Sequence, residues 1–173
     1  MADTDPQPGK MNIRAKKAGI ALQIQKKMEE GYDREEGLGT PSRIVEWLNQ
    51  ILPAVHRPCP DTKWRTIHFY LKDGVALCRL INILRQAVGM SAVKFSKNAA
   101  TPFVAMENIE SFNRAAHEYG LPETDLFQSV DLYEGHRGPL LNVINCLNRL
   151  GTVANDKGFS PRYNPPEPPK NCY

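Results

Sequence analysis

Residues 66–87 read TIHFYLKDGVALCRLINILRQA. Beyond Asp73, the run Val75, Ala76, Leu77, Cys78, Leu80, Ile81, Ile83 and Leu84 leaves almost no polar face. A helix that is apolar nearly all round belongs in the middle of a bundle, because a surface helix would show a polar stripe. Just before it, Gly74 stands where the chain must turn tightly into the buried helix.

Downstream, Thr101 and Pro102 read as an N-cap followed by a first-turn proline. They open a helix with Phe103, Met106, Ile109, Phe112, Ala116 and Tyr119 as its inward stripe, closed by Gly120. Glu107, Asn108, Glu110, Ser111 and Arg114 fall on the outward face, where Asn108 is placed to bridge a neighbouring loop. Short elements are expected near Asp125–Phe127 and Asp131–Glu134. Gly138 and Pro139 then launch a last long helix with Leu140, Val143, Ile144, Leu147 and Leu150 inward.

Upstream, HRPCPDTKW at 56–64 is a proline-punctuated surface loop. Thr40-Pro41 repeats the cap-plus-proline signature for a helix with Ile44, Trp47 or Leu48, and Ile51 inward, ended by Pro53. Residues 16–36 form an amphipathic helix in which Ile20, Ile24 and Met28 share a face. Its charges run basic first and acidic last, against the preference of the helix dipole, so this helix depends on docking or serves a partner. Residues 1–15 read as a flexible leader, and 155–173, with GFSPRYNPPEPPKNCY, as a proline-rich tail that favours extended polyproline II over packing. With no alternating strand pattern and no repeat of fixed period, the fold class is all-α, a bundle of four main helices with short connecting helices.

Composition narrows the function. A chain of 173 residues holds one domain plus flanking segments. The 22 basic and 19 acidic residues lack the excess typical of nucleic-acid binders. No apolar run reaches the ~20 residues that span a bilayer, so no membrane insertion is expected and the default location is cytoplasmic. Cys59, Cys78, Cys146 and Cys172 lack the spacing of a disulfide framework or, with His56 and His68, of a zinc shell. Buried thiols without a positioned base are poor nucleophiles. With no phosphate-cradling glycine loop either, neither a cofactor nor enzymatic activity is expected.

Three segments, LKDGVALCRLIN (71–82), FVAMENIESFNRAAHEYGL (103–121) and FQSVDLYEG (127–135), occur in the order in which the calponin-homology domain carries them. Over about residues 40–154 the chain resembles the calponin and transgelin (muscle-protein) branch of that family, whose members associate with actin filaments. The resemblance implies the calponin-homology helical bundle and a cytoskeletal binding role without catalysis. The short repeat that usually follows the domain in that branch, and carries much of its filament contact, has no counterpart in 155–173, so the contact expected is weak. Arg14, Lys16, Lys17, Lys26 and Lys27 of the N-terminal helix, with Lys72, Arg79 and Arg85 from the central helices, are its expected contributors, and a monomer is the expected state.

The alternative is a signalling adaptor. Pro165, Pro168 and Lys170 form a PxxPxK pattern that an aromatic groove reads as polyproline II. Thr40-Pro41 and Thr101-Pro102 are explained as helix starts, whereas Ser160-Pro161, in the tail, is a modification candidate.

Overall fold

The computed structural model describes the backbone of residues 8–168 and the side chains from Arg14 onward. Seven α-helices occur among the described residues: α1 (Pro8–Leu38), α2 (Thr40–Ile51), α3 (Trp64–Leu71), α4 (Val75–Ala87), α5 (Pro102–Tyr119), α6 (Ser129–Tyr133) and α7 (Arg137–Asp156). A single 3-10 turn, Glu123–Asp125, links α5 to α6, and the architecture is all-α as expected. The expected short elements correspond to that turn and to α6.

The stretch 66–87 is two helices. Gly74, at φ 75°, ends the turn between α3 and α4 in the left-handed region that only glycine enters freely. A Cβ there would also lie 2.6 Å from Asn108 Cβ and 2.9 Å from the Ile109 backbone nitrogen. That close approach brings α4 against α5, and Leu77, Cys78, Leu80, Ile81 and Leu84 are completely enclosed. Burying each such Leu or Ile side chain contributes about 1.5–3 kcal/mol. α7 is the second central element, packing on α1, α2, α3 and α6 with Leu140, Val143, Ile144, Leu147 and Leu150 all inward.

Two expected inward positions on α5 are outside or at the edge. Phe103 is 70% exposed, because at about 100° per residue it lies opposite the face that Ala105, Ile109, Phe112 and Ala116 bury, and Met106 is only half-buried. Asn108, expected on the outer face, is buried instead. Its amide nitrogen donates to the carbonyls of Asp73 (3.0 Å) and Ser96 (2.9 Å), and its oxygen accepts from the Ser96 N–H (2.9 Å). The bridging role expected of Asn108 is therefore real but internal: three hydrogen bonds offset the desolvation of its amide and tie two loops to α5.

The helix starts divide. Thr101 caps α5, its hydroxyl accepting from Val104 N–H at 3.3 Å. Thr40 does not cap α2: Gly39 is the N-cap, at φ 87°, and the buried Thr40 hydroxyl donates to Glu35 at 2.5 Å, tying α2 to the end of α1.

The flanks differ most from expectation. Residues 8–15 are helical rather than leader, as α1 starts at Pro8; residues 1–7 lie outside the described ones. Ile20 and Ile24, expected to dock with Met28, stay 56% and 55% exposed. Only the second half of α1 packs, against α7, where Gly31 faces Leu141 and Gly138 faces Met28 so closely that a Cβ on either glycine would stand 2.7 Å and 3.1 Å from its neighbour.

The tail, expected to stay off the bundle, is anchored through Tyr163, which is fully buried. Its ring sits 5.4 Å from Trp47, centroid to centroid, over the space left by Gly151. Asn155 clamps the backbone of Tyr163, accepting from its N–H (2.9 Å) and donating to its carbonyl (2.7 Å). The Tyr163 hydroxyl donates to Asn148 (2.6 Å), and the Trp47 indole N–H donates to the Pro161 carbonyl (3.0 Å).

Candidate partner-binding surface

Residues 14–27, RAKKAGIALQIQKK, contain five cations and no acid, and all of these residues are exposed. Arg14, Lys16, Lys17, Lys26 and Lys27 thus share one free half-helix, together with Ile20, Ile24 and Leu22, the last 66% exposed. The free half leaves the bundle where Arg137, at the start of α7, pairs with Glu29 (3.5 Å) and Asp33 (3.2 Å). Those carboxylates belong to the acidic second half of α1, so the opposed charge order is satisfied by a cation from α7. In the angle between the two helices, Ala21, Ile24, Gln25, Met28, Glu29, His136 and Pro139 line a mainly apolar notch of about 380 Å³.

The other expected contact residues are scattered. Lys72 is half-buried, its ammonium 5.6 Å from the ring centre of Phe69, which is itself 65% exposed. Arg79 is also half-buried and donates to the Val55 carbonyl, with His56 Nδ1 at 2.8 Å, in a broad cleft that includes Arg57, Asp73 and Lys97. Burial, and then the Arg79 charge, lower the His56 pKa from its ordinary value, so His56 can accept from the guanidinium.

Arg85 is a correction. It is 5% exposed, and its guanidinium donates to the carbonyls of Ser91 (2.9 Å) and Ala115 (3.2 Å) and pairs with Glu118 (2.9 Å). Its charge is spent inside the bundle, fixing the 88–92 loop to α5, and does not reach a partner. Pro165 and Pro168 are exposed beyond the Tyr163 anchor, while Lys170 and Cys172 lie outside the described residues.

No group of three or more His, Cys, Asp or Glu side chains able to hold a metal occurs among the described residues. Cys59, Cys78 and Cys146 are buried with raised pKa values, Cys78 to about 12, because burial disfavours the thiolate. No described helix is long and apolar enough to cross a membrane.

The exposed side chains of Ile20, Leu22, Ile24, Phe69 and Phe103 were not foreseen as surface. The one available signal was the opposed charge order of α1, which marked that helix as dependent on a contact.

The all-helical bundle displays a charged helix and encloses the thiols of Cys59, Cys78 and Cys146, with Thr40, Arg85 and Asn108 its buried polar residues among those described. The calponin homology (CH) domain matches residues 41–156, from the first turn of α2 to the end of α7, and the chain belongs to that family. Its domains are non-enzymatic binding modules with actin-cytoskeleton-related or signalling roles.

Proposed function

We propose that this chain is an actin-cytoskeleton-associated binding protein of the transgelin, muscle-protein type, and that its filament contact is the free half of α1. The observation that carries the proposal is the unbroken set of exposed cations at Arg14, Lys16, Lys17, Lys26 and Lys27, with no acid among them. An actin filament presents an acidic surface, and exposed Lys and Arg facing one gain attraction that salt screens over about 10 Å at 0.1 M. Lys72 and Arg79 are secondary contributors, whereas Arg85 is buried and paired with Glu118. The cellular location that follows is the cytoskeleton.

Co-sedimentation with actin filaments at rising salt tests this. Binding should fall steeply with salt, and reversing Lys16, Lys17, Lys26 and Lys27 together should abolish it while helical content stays unchanged. A charge-reversed protein that pellets as well as its parent would place the contact on the bundle instead.

A second reading, an adaptor, is favoured by one observation: Pro165 and Pro168 stay exposed just past the point where Tyr163 fastens the chain. Anchored on one side, this segment presents its prolines at low entropic cost to an aromatic groove. Capture of an SH3-type domain that depends on Pro165 and Pro168, with little filament binding at low salt, would favour it.

A further inference from the structure

The geometry points to the notch between the free half of α1 and the first turn of α7, extended by Ile20 and Ile24, as the seat of an acidic amphipathic helix from another protein. This inference rests on the reading of α1 as the binding element and names what occupies it.

Four observations lead there. The notch is lined mainly by Ala21, Ile24, Met28 and Pro139, and Ile20 continues the same face toward the N-terminus. At about 100° per residue, Lys16 and Lys27 flank the Ile20–Ile24 line on one side and Lys17 on the other. An apolar strip with lysines on both sides fits an apolar stripe flanked by carboxylates. The single carboxylate in the notch, Glu29, is already engaged by Arg137 and by the Gln25 amide (3.2 Å).

The walls decide the conformation of the occupant. Both are helices: the α1 groups bond internally, and the first turn of α7 offers only isolated N–H groups, so neither presents the alternating edge that a strand pairs with. A segment lying there must satisfy its own backbone, and a helix does so. Charge decides against a second copy: pairing two such faces would set Lys16, Lys17 and Lys27 against their own copies, while the one carboxylate there, Glu29, is already held by Arg137. The distribution of apolar residues decides against a bilayer. Leu22 lies about 180° from the Ile20–Ile24 line, so a helix lying flat on a membrane would leave one apolar set facing water.

The test uses the full chain and a fluorescein-labelled peptide of about 18 residues with Leu at helical i, i+3, i+4, i+7 spacing and Glu elsewhere, read by anisotropy. Two control peptides keep the length: one scatters the same Leu residues around all faces, the other replaces Glu with Lys. The patterned acidic peptide should bind at least about tenfold more tightly than either control. Ile20→Ser with Ile24→Ser, and separately Ala21→Trp, which fills the notch, should each weaken it by about tenfold or more. Equal binding of the scattered peptide, or unchanged binding by the Ile variant, would overturn the inference. So would a dimer in sedimentation velocity that the Ile variant loses, or binding to phosphatidylserine-containing vesicles in place of the peptide.

Filament co-sedimentation of the same proteins separates the two readings. Peptide binding without filament binding overturns the filament proposal alone. Filament binding without peptide binding overturns the notch alone.

Discussion

Residues 159–163 and residues 14–27 flank the same bundle, and the shorter of the two, with no Ile, Leu or Val, is the one that docks. Tyr163 is enclosed between Trp47 and Gly151 with its backbone clamped by Asn155, whereas Ile20, Leu22 and Ile24 remain more than half exposed. Apolar content is therefore not what secures a flank. A cavity of matching shape and partners for the backbone are, because each polar group that leaves water must find a hydrogen bond inside. α7 supplies both for the tail: Gly151 leaves the space, and Asn148 and Asn155 supply the bonds. It ends too soon at its other terminus to cover the first half of α1.

The bundle sets the scale against which both flanks are measured. Leu80→Ala or Ile109→Ala should cost about 2–5 kcal/mol, since each removes a fully enclosed side chain from α4 or α5. Urea denaturation checks this, and a loss under about 0.5 kcal/mol would mean that the core does not lie along those faces.

Next in size is the tail. Tyr163→Ala should cost about 3 kcal/mol, as truncation of a buried aromatic with a bonded hydroxyl does. Removing residues 159–173 should lower the melting temperature by more than about 5 °C. Gly151→Ala should lose much of the same stability, because a Cβ there would stand 2.3 Å from the Tyr163 ring, and should add little once Tyr163 is gone. An unchanged melting temperature after deletion would return the tail to the loosely attached, polyproline behaviour that its composition alone implies.

How far the sequence foretold these features follows from what periodicity measures. The helices from Thr40 to Asp156 were legible because they face one another: the stripes of α4 and α7 find partners within the same domain, so a face that is apolar is also a face that is buried. For α1 the same signal, Ile20, Ile24 and Met28, identified a face but not an occupant, and only Met28 meets α7. Tyr163 was illegible for the opposite reason. A single aromatic in a proline-rich run carries no period, and its pocket is assembled from Trp47, Asn148, Gly151 and Asn155, distant in sequence. Asn108 was assigned outward on polarity, yet three hydrogen bonds let it lie inside. Arg85 was assigned to a filament contact because a cation on a helix usually reaches solvent, and its partner Glu118 lies on another helix. The basic cluster was legible both as residues and as an exposed face, since 14–27 contain no acid, but the exposure of Ile20, Leu22 and Ile24 among those cations was not.

A smaller effect separates the bundle from both flanks by pH. His56 and His68 lie in the bundle, and burial lowers both pKa values below the ordinary 6.5, with Lys72 and His136 adding to the effect at His68. The unfolded chain therefore takes up protons first as pH falls. Stability is fully present above about pH 6.5 and is lost as pH falls from there toward the folded values. Urea midpoints measured between neutral and mildly acidic pH should fall, and His68→Gln should flatten the slope. Deleting the tail should lower all midpoints without changing the slope.

The smallest expected effect is the one that bears most directly on α1. Ile20→Ser combined with Ile24→Ser should change stability by no more than about 0.5 kcal/mol, because both side chains are already more than half in water and neither contacts the enclosed core. Ser has a slightly lower helix propensity than Ile in some hosts and a similar one in most, so local helix formation changes by only a few tenths of a kcal/mol. The same two substitutions placed inward, at positions such as Ile81 or Ile109, would each open a cavity and bury a hydroxyl. The contrast is therefore sharp: a large loss from the α1 pair in urea would show that the free half folds back onto the bundle in solution, and the comparison of the two flanks would collapse. An unchanged midpoint, together with a loss of partner binding, would show that these isoleucines serve a contact outside the chain and not its fold.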